Sequence, residues 1–173
     1  MLTLFIKFVQ SLVKSLHSEG SPTQVALGIA LGACLGLTPL MTLHNVVILA
    51  AIVLLNVSFA GGMLGWLLFT PIGFVLDPVS DSIGRALLEA PSLQAIWTDW
   101  YNIPIVPLTE FNNSVVLGSL LIWVVLFVPV CVVSRFGIIR YRATLGARVS
   151  QLKIYKAIRA SKLYNVYRLF RPD

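Results

Sequence analysis

A chain of 173 residues that is 57% hydrophobic and only 12% charged is one domain by length and too apolar for an ordinary soluble globule. Its formal charge of +6 is unevenly spread, with +1 over residues 1–76, −4 over 77–110 and +9 over 135–173. These numbers exclude a second soluble domain and a disordered polyelectrolyte, and they point to an all-α integral membrane protein.

The first 19 residues set Leu2, Phe5, Ile6, Val9, Leu12, Val13 and Leu16 against Lys7, Gln10, Ser11 and Lys14 at helical spacing. They read as an amphipathic helix lying on the bilayer. A secretory signal would carry its lysines ahead of the apolar run, whereas these fall within it. Ser21 followed by Pro22 then reads as an N-cap and a first-turn proline.

Between Glu19 and Asp77 stand 57 residues without Asp, Glu, Lys or Arg, room for several crossings of about 20 residues each. Pro22, Pro39 and Pro71 cut this stretch into Thr23–Thr38, Thr42–Leu55 and Val57–Thr70, each too short to span hydrocarbon alone. Backbone groups freed at Thr38-Pro39, Asn56 and Thr70-Pro71 must be buried in protein or face a wet cavity. Gly28, Gly32 and Gly36 recur every four residues, as do Gly61 and Gly65. Such flat faces predict that the first and third pieces cross closely.

Asp77-Pro78 repeats the start signal, predicting a helix over about Pro78–Ala90 in which Asp81, Arg85 and Glu89 stand four apart. Trp97, Trp100 and Tyr101 suit the headgroup level, and Pro104 and Pro107 mark a loop. The uncharged run from Phe111 to Ser134 is long enough to cross with tilt, with Pro129 inside it. A second amphipathic surface helix is expected from Arg135 onward, with Arg140, Arg142, Arg148, Lys153 and Lys156 on anionic lipid. The organisation is therefore an interfacial helix (1–19), a membrane domain (20–134, with 77–112 outside it) and a basic tail (135–173).

Lysine and arginine flanking spans are retained in the cytoplasm, which puts both ends of the chain there and the acidic 77–110 segment on the far side. An odd number of crossings must precede that segment. Three short crossings satisfy this, and so does a re-entrant hairpin, Thr23–Leu55, followed by one crossing; the shortness of the pieces favours the hairpin.

Polar residues within apolar surroundings are the candidate site. Pro39, His44 and Asn45 lie at the first break, Asn56 at the second and Thr70 at the third, and the first three polar side chains are expected to converge at membrane depth. The rival reading is that they cap helix ends. Asp77, Asp81 and Arg85 offer a headgroup or partner surface, against a plain reading as exposed ion pairs. Cys34 and Cys131 read as packing residues, and with His17 and His44 they show no metal-ligand spacing. Neither a metal nor a cofactor is expected.

The set Ser21-Pro22, Ala26-Leu27-Gly28, Gly32, Gly36, Pro39, His44 and Asn56 resembles a small bacterial inner-membrane family, domain of unknown function two-zero-six-two, over roughly Gly20–Leu88. The Asn-Pro usual in that family stands here as Thr70-Pro71. The resemblance implies an inner-membrane location and, for members with a long basic tail, partnership with large membrane-anchored periplasmic proteins of the AsmA-like, lipid-bridging type. The expected function is a non-enzymatic subunit that binds phospholipid or passes it to such a partner. The alternative is a small transporter or channel whose solute path is lined by Thr38, His44, Asn56 and Thr70. His44 without a neighbouring carboxylate is a poor general base, no motif reads nucleic acid, and self-association stays open.

Overall fold

The computed structural model describes residues 20–149. The amino-terminal helix and the lipid contacts expected of Lys153 and Lys156 lie outside the described residues. The described chain is all-helical: α1 (Pro22–Leu37), α2 (Leu43–Leu54), α3 (Phe59–Leu88), α4 (Gln94–Tyr101) and α5 (Ser114–Val149). Single 3-10 turns, Pro91–Leu93 and Val106–Thr109, flank α4. α3 and α5 are long and apolar enough to cross a membrane.

The start of α1 is fixed by a capping box. Ser21 Oγ accepts from the Gln24 amide at 3.2 Å while Gln24 Oε1 accepts from the Ser21 amide at 2.6 Å, so two orphan donors are satisfied reciprocally. At its other end the Thr38 amide and hydroxyl both donate to the Cys34 carbonyl, at 3.0 and 2.8 Å, and Pro39 stops the helix.

α1 and α3 run parallel in direct backbone contact. Val25 lies beside Gly61, Ile29 beside Gly65 and Gly36 beside Gly73, so the two helices climb in step. A methyl group on Gly36 would sit 2.8 Å from the Trp66 carbonyl, and one on Gly61 would sit 2.6 Å from that of Val25. Methyls on Gly28 and Gly32 would strike the Ser58 and Gly62 carbonyls, and one on Gly65 that of Ile29. Only hydrogen fits along this seam. α2 returns between them on the outside, burying only Asn45 and Ile52.

α5 runs antiparallel to α3 and lies against α1. Methyls on Gly84 and Gly118 would enter the Ser114 and Ser80 carbonyls, and the Ser114 hydroxyl donates to the Asp81 carboxylate. Further along, Trp123 Nε1 donates to the Ala30 carbonyl at 2.8 Å, and Arg142 Nη1 to the Gly20 carbonyl at 3.0 Å. The first and last of these ties are about 42 Å apart along α5 at 1.5 Å per residue. Between them Val25, Ala26 and Ile29 pack on Ile138, with Leu64, Val130 and Cys131 around them.

Two expected breaks do not occur. α3 passes through both Pro71 and Pro78, so the helix neither ends at Thr70 nor restarts at Asp77. Its buried stripe of Gly61, Gly62, Gly65, Gly73, Ser80 and Gly84 continues across both prolines, while both proline rings lie on the exposed face. Tertiary contact thus outweighs the two lost amide donors, as neighbouring helices commonly allow in apolar surroundings. Asp77 is therefore a mid-helix residue, and the helix ends at Leu88 rather than Ala90. Likewise α5 continues past Pro129 and Arg135 to Val149. Arg140, Arg142 and Arg148 extend the last long helix instead of opening a separate one, because Ile138 and Arg142 remain tied to α1 and Gly20.

Candidate functional site

The junction of α1 and α2, from the turn at 38–42 into the first residues of α2, is a closed polar knot. Asn45 is 3% exposed; its Nδ2 donates to the Pro39 carbonyl at 2.7 Å, and its Oδ1 lies 2.9 Å from the Thr38 hydroxyl, whose one proton is shared between it and the Cys34 carbonyl, with the Cys34 thiol 3.8 Å away. The Thr42 hydroxyl lies 3.2 Å from the Pro39 carbonyl and 3.0 Å from His44 Nε2. Asn45 thus stands in for water at the broken backbone, and its amide is spent there. Pro39, Leu40 and Met41 form the exposed tip.

The expected convergence of three polar side chains is not what forms. Asn56 is exposed and sits past the far end of α2, about 16 Å from Asn45 along the helix axis. The reason is that α2 is a continuous helix separating the two breaks. Thr70 instead belongs to α3, where its hydroxyl donates back to the Trp66 carbonyl at 2.7 Å. It shares with Thr38, Pro39 and Asp77 a cleft of about 380 Å³ at the end of α1. Asp81 is held between Arg85, at 2.9 Å, and Ser114.

His44 faces another space. Its Nδ1 is buried without a hydrogen bond, although the Thr109 backbone and the Glu110 carboxylate lie near the ring. The cavity beside it holds about 440 Å³ and is lined by Trp100, Ile103, Val106, Thr109, Phe111, Val116, Leu117 and Leu120. Its roof is an aromatic cap: Phe111 is ringed by Trp97, Trp100 and Tyr101 at 6.0, 6.1 and 6.4 Å. Trp97 Nε1 donates to the Leu87 carbonyl at 3.0 Å, fastening the cap to the end of α3. Glu110, in the left-handed region at φ 55°, turns the chain back so that Phe111 is buried. A mostly apolar cavity ending on one imidazole is suited to holding an amphiphile.

The family model described as "Uncharacterized protein conserved in bacteria (DUF2062)" matches residues 7–144. The chain belongs to the DUF2062 family. It is also similar to an uncharacterized protein of Treponema pallidum (strain Nichols), with 29% identity over 161 residues, 91% of this chain and 98% of the relative. No solved structure matches.

The DUF2062 match reaches well beyond Gly20–Leu88 and takes in the glycine seam, the polar knot, the cap and nearly all of α5. Sequence reasoning missed the α3–α5 crossing and the cavity inside this DUF2062 region. The crossing had a signal: Ser80 with Gly84 and Ser114 with Gly118 are both pairs of small residues four apart. The cavity had none, since its walls come from α2, the cap and α5.

Proposed function

We propose that this chain is a non-enzymatic integral subunit of the bacterial inner membrane, with both ends cytoplasmic. It binds phospholipid at the capped end and passes it to a large membrane-anchored periplasmic partner of the lipid-bridging kind. The observation that carries the membrane reading is an inverted distribution of polarity. Thr38, Thr42, Asn45, Ser58, Ser80 and Ser119 are buried, while Phe74, Val75, Val125 and Val133 are each at least 70% exposed. Water penalises so extended an apolar exterior, whereas a bilayer solvates it.

We read depth from the ties. Gly20 and Arg142 meet at one end, where the basic charge begins, and the aromatic cap stands at the other. The α1–α2 turn reaches that same capped end, because His44 and Trp100 line one cavity. We therefore read α1, α2 and α3 as three crossings and α5 as a fourth, in place of a re-entrant hairpin. α1 and α2, about 24 and 18 Å long, are undersized for a core of about 30 Å, and a bilayer thinned around them is an easier place to withdraw a lipid.

The test is extraction without detergent into native nanodiscs. The expected result is phospholipid enriched over the bulk composition together with a periplasmic partner. A lone protein surrounded by bulk lipid overturns the role, and termini labelled from opposite faces of sealed vesicles overturn the topology.

A further inference from the structure

The cavity beside His44 has dimensions and chemistry that narrow its occupant. At about 440 Å³ it is far larger than a void that holds one or two waters. The space admits an acyl chain. The walls agree, being Val106, Val116, Leu120 and the Trp100 ring, and the Thr109 hydroxyl is already donated to the Val106 carbonyl at 2.6 Å.

The polar end of such an occupant is fixed by the imidazole. Nε2 is engaged by Thr42 at 3.0 Å, and Nδ1 is buried with no well-formed hydrogen bond, the Thr109 backbone lying near it. If the Thr42 proton goes to the Pro39 carbonyl, Nε2 carries hydrogen and Nδ1 accepts; if it goes to Nε2, Nδ1 donates. A hydroxyl both donates and accepts, and so pairs with Nδ1 in either tautomer. A choline group pairs with Nδ1 in neither tautomer, and a phosphate, which accepts, pairs in only one and is costly to bring within an apolar wall.

We infer that this cavity is a binding site for the acyl chain of a hydroxyl-bearing single-chain lipid, with its hydroxyl on His44 Nδ1. The inference rests on the membrane reading above and concerns a single-chain lipid held in this cavity, distinct from the phospholipid that the chain passes on. Two sources share the chemistry, a protonated fatty acid and a lysophospholipid with a free glycerol hydroxyl.

The test uses the full-length protein in nanodiscs and two probes carrying a photoreactive diazirine in the acyl chain, palmitic acid and a lysophosphatidylethanolamine. Crosslinks mapped by mass spectrometry are expected to concentrate on residues 100–120. Val116→Trp, which fills the space, should abolish that concentration, and Leu120→Phe should reduce it. His44→Ala should weaken probe binding by about fivefold to tenfold, the loss of one buried hydrogen bond. Unfolding temperatures confirm that each variant is folded, and Leu120→Phe keeps the question open to test should Val116→Trp fail to fold. Stronger labelling by one probe identifies the source. Crosslinks spread along the exposed faces of α3 and α5, unchanged in folded variants, overturn the site even where phospholipid and a partner still co-purify; loss of co-purification alone overturns the wider role and leaves the crosslinking pattern as its own result.

Discussion

α1 and α2 are both short apolar helices, set on either side of Pro39, yet they occupy opposite places. Ten of the 16 residues of α1 are buried, against two of the 12 in α2. Hydrophobicity does not separate them, because α2 carries the larger share of Val, Ile and Leu. What separates them is side-chain size. Gly28, Gly32 and Gly36 let α1 touch the α3 backbone, whereas branched side chains hold α2 away, with Val46, Val47, Val53 and Leu54 all outward. Where the surroundings are as apolar as the side chains, close packing decides what is inside.

The sharpest way to break that contrast is to put the same side chain on both helices. Gly32→Leu drives a branched group into the Gly62 carbonyl, and the expected loss is about 3 kcal/mol or more. It should appear as failure to recover a monodisperse protein. A wild-type unfolding temperature in this variant would sink the account of the seam.

An intermediate effect is expected at the turn that joins the two helices. Asn45→Ala removes one of two partners from the Thr38 hydroxyl, which keeps the Cys34 carbonyl, and one of two from the Pro39 carbonyl, which keeps the Thr42 hydroxyl, at a cost of about 1 kcal/mol. Thermal unfolding in a fixed detergent would read it. Restoration by Asn45→Gln is not expected, since the longer side chain cannot make both contacts in the same register.

The smallest effect belongs to the outer helix. Val47→Leu adds bulk on a 59% exposed face of α2 and should change stability by less than about 0.5 kcal/mol. A loss comparable to that of Gly32→Leu would mean that α2 is covered by something and that the contrast is wrong.

Much of the architecture was legible because it rests on local signals. Ser21-Pro22 gave the start of α1, Pro39 its end, and the glycine spacing its partner. The continuous α3 was not legible, because Pro71 and Pro78 are strong local stop signals and only the stripe running to Gly84, paired with Ser114 on a distant helix, overrides them. The extent of α5 was hidden similarly, since Arg135 looks like a boundary until Ile138 is seen against Val25. Of the candidate site, Asn45 and His44 were identifiable as polar groups in an apolar run. Their division of labour, one closing the backbone and the other lining a cavity, depends on the cap folding over from residues 100–111.

The parallel pairing of α1 with α3 has a consequence for how the chain is made. A helix whose flat face is cut to fit a strip of backbone some 36 residues downstream has nothing to lie against while it leaves the ribosome. On the three-crossing reading proposed above, α1 and α2 wait at the insertion machinery as an undersized pair until residues 61–73 arrive, and integration should proceed as one event of three helices. A nascent chain arrested before Gly73 should still be extractable by alkali, and one arrested beyond it should not.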